Sequence, residues 1–264
     1  MNLLLDCGNT RLKWAISDPL SIGTGRHMVE KGVVDYESES LAVWANRLNS
    51  QGLKWLQYSS VISPEQEAQV LAALAPLGLK SSRFAVTAQA GKLHNLYATQ
   101  ETLGVDRWAA AIGAWGLVGQ SCLVIGAGTA TTVDLIESTA ADTAVYRGGL
   151  ILPGHGIMLR ALESGTAGLR VPTGEVCEFP TNTSDALTSG GTYAIAGAVE
   201  RMVQHVRQHC GAEPACYMTG GAGWKMAPSM SVQFELVDSL IFDGLLEIAK
   251  QRLARVGAPF SSLG

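Results

Sequence analysis

Asp6-Cys7-Gly8-Asn9-Thr10, followed by Arg11-Leu12-Lys13, gathers a carboxylate, small turn-forming residues, a hydroxyl and an ammonium within eight positions. Binding a nucleoside triphosphate asks for such a set. Backbone N–H groups must point at one spot, small residues must let phosphate approach, and a carboxylate must hold the magnesium that bridges phosphate oxygens. A Gly-Asn tip also serves ordinary β-hairpins, and Lys13 could simply project from the second strand, so this segment alone leaves both readings open. A second segment, Gly126-Ala127-Gly128-Thr129, follows Leu123-Val124-Ile125 as the first follows Leu3-Leu4-Leu5. That repetition favours phosphate binding.

Around each tip the branched apolar run reads as a buried strand, and a second strand leaves over 12–17 and 131–136. A third strand is expected over 27–34 in the first copy and 145–152 in the second, then alternating helices and strands. The pattern is a duplicated α/β unit, with domains 1–118 and 119–264 and a boundary over 116–120. Helices are expected over 39–48, 65–74, 107–117, after Pro153-Gly154, within 184–209 and over 240–256; strands are expected over 55–62, 215–219 and 232–236. Ser63-Pro64-Glu65-Gln66 supplies a helix start, and Gly211 and Gly257 supply stops.

Composition narrows the function. An apolar fraction of 47% against 16% charged residues supports a well-buried core. A net charge of -4 without a long single-sign run offers no footprint for nucleic acid, so a small molecule is the expected partner. The N-terminus lacks a signal-peptide pattern. The charge-free stretch 108–133 is broken by glycines and reads as a buried helix and strand, not as a membrane span. Five cysteines, Cys7, Cys122, Cys177, Cys210 and Cys216, lie in no CxxC spacing, which points to a reducing, cytoplasmic compartment. His205, His209 and Cys210 could grip a metal, although the spacing also suits a solvated helix face.

Two hairpins of this kind, one per half, would hold phosphates from both sides of an interdomain cleft. That arrangement is similar to the actin, sugar-kinase and heat-shock-chaperone ATPase superfamily, whose domains are ribonuclease-H-like. Thr219-Gly220-Gly221-Ala222-Gly223 resembles the adenosine loop of that superfamily. There is no GxxxxGK[ST] segment and no protein-kinase motif set, and neither this loop nor Gly23-Thr24-Gly25 makes a dinucleotide fingerprint.

The resemblance then becomes specific. Asp6 to Thr10 with Lys13-Trp14, Tyr97, Gly104-Val105-Asp106-Arg107, Gly128-Thr129-Ala130, Gly148-Gly149-Leu150-Ile151-Leu152-Pro153-Gly154 and Asn182-Thr183 occur in the order and spacing of type III pantothenate kinase. The resemblance implies transfer of the ATP γ-phosphoryl to the terminal hydroxyl of pantothenate, the first step of coenzyme A synthesis, by a cytoplasmic homodimer that uses Mg²⁺ with ATP.

It also implies residue roles. Asp106 is the general base, with helix N-capping as its structural alternative. Arg107 holds the pantothenate carboxylate, for which a forked guanidinium suits; alternatively it makes a surface ion pair. Tyr97, Gly104, Val105 and Thr183 are further substrate contacts, with Thr183 reaching across the dimer. Residues 6–13 and Thr129 contact ATP, and Asp6 is the magnesium ligand.

Two departures stand out. The family carries an aspartate three residues before the threonine, where it binds an activating K⁺ or NH₄⁺; here Gly126 occupies that position, which puts the cation site in doubt. The segment between Tyr97 and Gly104 lacks the family's proline. Asp134 is assigned to the fold or to the phosphate cleft. Two other functions fit the fold: a non-catalytic accessory protein, against which the joint presence of Asp6, Asn9, Lys13, Asp106 and Arg107 argues, and an actin-like ATPase or phosphatase, which would not need Tyr97, Arg107 and Thr183.

Overall fold

The structure, a computed structural model, describes residues 1–18, 28–140, 142–165, 172–221 and 229–255. Expectations for 23–25, His27, Ala222, Gly223, Val256 and Gly257 fall outside those residues. The chain groups into two compact units, one of Met1–Gly119, Ser138–Val145 and the chain from Ser239, the other of Gln120–Glu137 and Tyr146–Asp238. The first break falls in the expected 116–120 region. Unlike the continuous segments 1–118 and 119–264, these units return the last helix to the first one.

In the first unit, β1 (Asn2–Cys7) and β2 (Leu12–Ser17) form the expected hairpin, and β3 (Met28–Val34) extends it. β4 (Trp55–Ser60) and β5 (Lys80–Arg83) lie parallel to the other side of β1, giving the order β3-β2-β1-β4-β5. A central strand covered on both faces has no polar face to show, and all six β1 residues are buried. Leu3 and Leu5 join Leu12, Trp14 and Ile16 in a core with Leu41, Trp44 and Leu48 of α1 (Ser38–Leu48) and Val70 and Leu74 of α2 (Pro64–Leu74). Ser63 caps α2 as expected, accepting from Gln66 N at 3.3 Å.

The other face is covered by α3 (Val105–Val118) and the last helix, α6 (Leu240–Arg255). These two meet backbone to backbone. A Cβ on Gly113 would collide with the Leu240 carbonyl, and one on Gly244 with that of Ala109. The glycines therefore serve close helix packing. The short β6 (Gln89–Ala90) and β7 (Leu93–Asn95) complete this unit.

In the second unit, β8 (Cys122–Ala127) pairs antiparallel with β9 (Ala130–Ala140), and β10 (Thr143–Pro153) follows; the last residues of β9 and the first of β10 group with the first unit. β11 (Ala215–Thr219) and β12 (Glu235–Leu236) lie parallel on the far side of β8. α4 (His155–Gly165) follows β10, and α5 (Thr183–Cys210) places Ile195, Val199, Val203 and Val206 at helical spacing on Leu123, Ile125, Val133 and Met218. Gly211, at φ 67°, ends α5 as expected.

The differences from expectation are local. β9 runs four residues beyond 136, and β12 is only its last two expected residues. α3 begins at Val105, so Asp106 stands inside the first turn, and Gly104 is the N-cap. The capping role considered for Asp106 is thereby corrected. Among the described residues no helix is long and apolar enough to cross a membrane.

Candidate active site

The first hairpin supplies the charged end of the site. The β1–β2 register makes Asp6 and Lys13 cross-strand partners, and Lys13 Nζ lies 3.3 Å from Asp6 Oδ2. On the other side β1 pairs with β4, which brings the Ser59 hydroxyl to 3.4 Å from Asp6 Oδ1. Asp6 is 4% exposed, and burial pushes its carboxyl above the usual range. Lys13 opposes that shift, and the charge of Asp106 adds to it. Asp6 and Asp106 are therefore electrostatic neighbours. The buried Asp6 carboxylate suits a divalent cation, whose charge would relieve it.

Gly8, Asn9, Thr10 and Arg11 form the tip, with Asn9, Thr10 and Arg11 exposed. Tyr36 donates its phenol to Gly8 O at 2.7 Å and so fixes where the tip leaves β1. Arg11 pairs loosely with Asp35 at 3.9 Å. Cys7 and Leu12 are buried. The Cys7 thiol, pushed up to about 12 by burial and then by Asp6, stays protonated at neutral pH, so its contribution is packing and its backbone. Tyr36 and Ser59 escaped the sequence reading. Ser59 shows only once parallel pairing sets it beside Asp6, and Tyr36 only once β3 brings the chain back to the tip.

The expected Asp106 and Arg107 stand at the start of α3. Asp106 Oδ1 accepts from Arg107 N at 2.9 Å. A Cβ on Gly104 would stand 2.7 Å from that same oxygen and 3.5 Å from Arg107 Cδ, so a bare Gly104 leaves room for the carboxylate to fold back over the helix start. Val105 is half-buried. Arg107 is only 6% exposed, which removes the surface ion-pair reading. Its guanidinium carbon sits 5.9 Å from the Tyr97 ring centroid, within cation–π reach. Tyr97 is positioned in turn by Asn95, whose Oδ1 accepts from Tyr97 N at 2.9 Å. Asp6, Lys13, Tyr97, Asp106 and Arg107 thus all belong to the first unit.

In the second unit, Gly128 and Thr129 form the β8–β9 tip, both exposed. Gly154 N donates to Thr129 O at 3.0 Å, and a Cβ on Gly154 would collide with the carbonyls of Gly128 and Thr129. Pro153-Gly154 therefore seats the start of α4 against this tip. Gly220, at φ 101°, approaches Ala127 so closely that a Cβ would overlap its carbonyl. Gly220, after Thr219 at the end of β11, thus also abuts the end of β8.

Thr183 is exposed as the first residue of α5, whose cap Asn182 accepts from Asp185 N at 3.0 Å. It lines an open depression of about 490 Å³ with Pro180, Thr181 and Asn182. Asp134 is buried and accepts from Tyr146 OH at 2.8 Å, a contact that ties β9 to β10.

Gly126 pairs with Thr132, and a Cβ at 126 would stand 2.6 Å from Thr132 Oγ1. A threonine hydroxyl fills the space into which a side chain at 126 would extend, and the position offers no carboxylate. The residues present do not fit a cation site built on an aspartate there.

Similarity to known proteins agrees with this geometry. The family profile described as "Type III pantothenate kinase" matches residues 2–205. A type III pantothenate kinase of Albidiferax ferrireducens is 52% identical over 262 residues, covering 95% of this chain and 98% of the relative. Among solved structures, a Campylobacter jejuni protein assigned to the Baf family of transcriptional activators aligns at TM-score 0.59 and 20% identity, covering 96% of this chain and 99% of that one. A Sinorhizobium meliloti protein assigned as a 2-dehydro-3-deoxygalactonokinase aligns at TM-score 0.55 and 12% identity, with coverage of 96% and 99%. At such identities the two structures speak for the fold, which is the expected actin-like α/β architecture of ribonuclease-H-like domains.

Proposed function

The chain belongs to the type III pantothenate kinase family, ATP-dependent enzymes that phosphorylate pantothenate, and from that premise we propose that Asp106 is its general base and Asp6 its metal-binding carboxylate. The observation that carries this reading is the electrostatic proximity of Asp106 to a buried Asp6 paired with Lys13. A helix start that presents a carboxylate next to a phosphate-binding hairpin is suited to delivering an alcohol to a phosphoryl group.

In the proposed step, Asp106 accepts the proton of the terminal hydroxyl of pantothenate as that oxygen attacks the γ-phosphorus in line. The new O–P bond forms, the bond to the β-phosphate bridging oxygen breaks, and ADP leaves. Such a transition state is loose and asks chiefly for positioning and charge stabilisation. The Lys13 ammonium would neutralise phosphate charge, and the amides of residues 8–11 and the Thr129 hydroxyl would donate hydrogen bonds to phosphate oxygens. Asp6 would hold Mg²⁺, whose positive charge would offset that of the phosphates; one carboxylate suits an ion that keeps most of its waters.

Arg107 would bind the pantothenate carboxylate, with its stem packed inside the unit and its guanidinium set by the Tyr97 ring. Tyr97, Gly104 and Val105 would line the rest of the acceptor site, and Thr183 would complete it in a homodimer. The five cysteines, all free, suit a cytoplasmic location. With Gly126 and Thr132 as they stand, activation by K⁺ or NH₄⁺ would be weak or absent.

The test is a coupled ADP-release assay with pantothenate and a panel of similar hydroxy acids. ADP release that depends on pantothenate, with 4′-phosphopantothenate as product, supports the reading. Equal ADP release without any acceptor would indicate an ATPase instead.

A further inference from the structure

The C-terminal turn of α5 and the neighbouring part of β9 hold a cluster that the kinase reading leaves unused. The carboxylate of Glu137, the imidazole of His209 and the thiol of Cys210 each bring one ligand atom within 4.8 Å of the others. His209 Nε2 lies 3.4 Å from Glu137 Oε1. The other Glu137 oxygen is hydrogen-bonded by Arg147 Nε, which leaves Oε1 turned toward the histidine. The sequence had suggested His205 with His209 and Cys210; in the fold Glu137 takes the third place.

We propose that Glu137, His209 and Cys210 form a binding site for one borderline-soft divalent transition cation, with zinc as the representative ion, that ties the end of α5 to β9. Three features support it. An oxygen, a nitrogen and a sulfur donor suit zinc, whereas magnesium and calcium take oxygen ligands alone. His209 and Cys210 are the last two residues of a 28-residue helix, whose C-terminal end carries partial negative charge that favours a cation. Arg147 orients the carboxylate as an outer-shell partner would, although its own charge weakens the site.

Burial and the Glu137 charge hold the Cys210 thiol above its usual range, so the free site carries a protonated sulfur. Binding breaks the Sγ–H bond, releases the proton to solvent and forms the metal–sulfur bond. The three side chains leave a fourth tetrahedral position to water.

The experiment uses the untagged full-length chain, stripped with a chelator and titrated with Zn²⁺ against a chromophoric competitor, and with Co²⁺ to detect thiolate-to-metal charge transfer. One equivalent of zinc should bind with a thiolate band in the cobalt form. Cys210→Ser and His209→Ala should each weaken zinc binding by about tenfold or more and remove or reduce that band. Cys177→Ser should leave binding unchanged. His209 is about half exposed, so its replacement spares the fold, which circular dichroism checks. Zinc binding that survives Cys210→Ser and His209→Ala, or is lost with Cys177→Ser, would overturn the proposal. So would the absence of stoichiometric binding by the unsubstituted chain.

Discussion

Lys13 Nζ and Asp6 Oδ2 face each other at 3.3 Å because the β1–β2 register makes the two residues cross-strand partners. The side-chain exposures are unequal, 44% for the lysine and 5% for the aspartate. The lysine can reach toward phosphate while the carboxylate stays fixed. Burial raises the carboxyl of Asp6 in spite of this partner, so a charge here costs the unliganded fold stability, a cost that the proposed metal-binding role would account for.

Asp6→Asn should therefore raise stability and abolish turnover. The folded chain holds the Asp6 proton more tightly than the unfolded chain, so stability falls as pH rises from the ordinary carboxylate value through the raised one, and the loss persists above it. The asparagine variant escapes that loss. Thermal unfolding at about pH 8 should show it more stable by about 1 kcal/mol, with the difference shrinking below about pH 4, where both states carry the proton. A variant less stable at pH 8 would mean that the Lys13 pair outweighs the burial cost.

Gly104→Ala tests whether the Asp106 carboxylate must fold over the helix start. The added methyl would stand 2.7 Å from Asp106 Oδ1 and force that side chain to turn. Turnover should fall about tenfold or more, while stability should change by about 1 kcal/mol or less, the scale of an N-cap change. Unchanged kcat would show that the observed rotamer is not the working one.

Monovalent cations should matter little. In buffer free of K⁺ and NH₄⁺ the rate should be close to that with either ion added, because position 126 carries no carboxylate and Thr132 Oγ1 fills the adjoining space. A strong, saturable requirement for either ion would locate the activating site elsewhere.

How much of this was readable beforehand differs from element to element. The first hairpin was readable, with β2 at its observed bounds, since Leu3-Leu4-Leu5 and the Gly-Asn tip carry both the burial and the turn; β1 extends beyond that apolar run to Asn2 and Cys7. α3 starts two residues before the position its sequence suggests, because an aspartate is a favoured cap and nothing local reveals that Gly104 takes that place and leaves room for Asp106. β5, with sequence KSSR, is a polar edge strand and carries no apolar pattern to detect. The return of α6 to the first unit was hidden as well, because it depends on glycine contacts between residues 113 and 244, far apart in the chain. Within the candidate site, Asp6, Lys13, Asp106 and Arg107 were recognisable by type and order. The burial of Arg107 and the Ser59 and Tyr36 contacts were not, since each needs tertiary pairing.

Asp106→Asn gives the most direct test of the account. The amide keeps the volume and an oxygen that can accept from Arg107 N, but it cannot take the hydroxyl proton. With saturating ATP and pantothenate, kcat should fall roughly a hundredfold or more, the usual scale for a positioned base, with the fold and nucleotide affinity retained. Turnover within a few-fold of the unsubstituted enzyme would contradict the role assigned to Asp106.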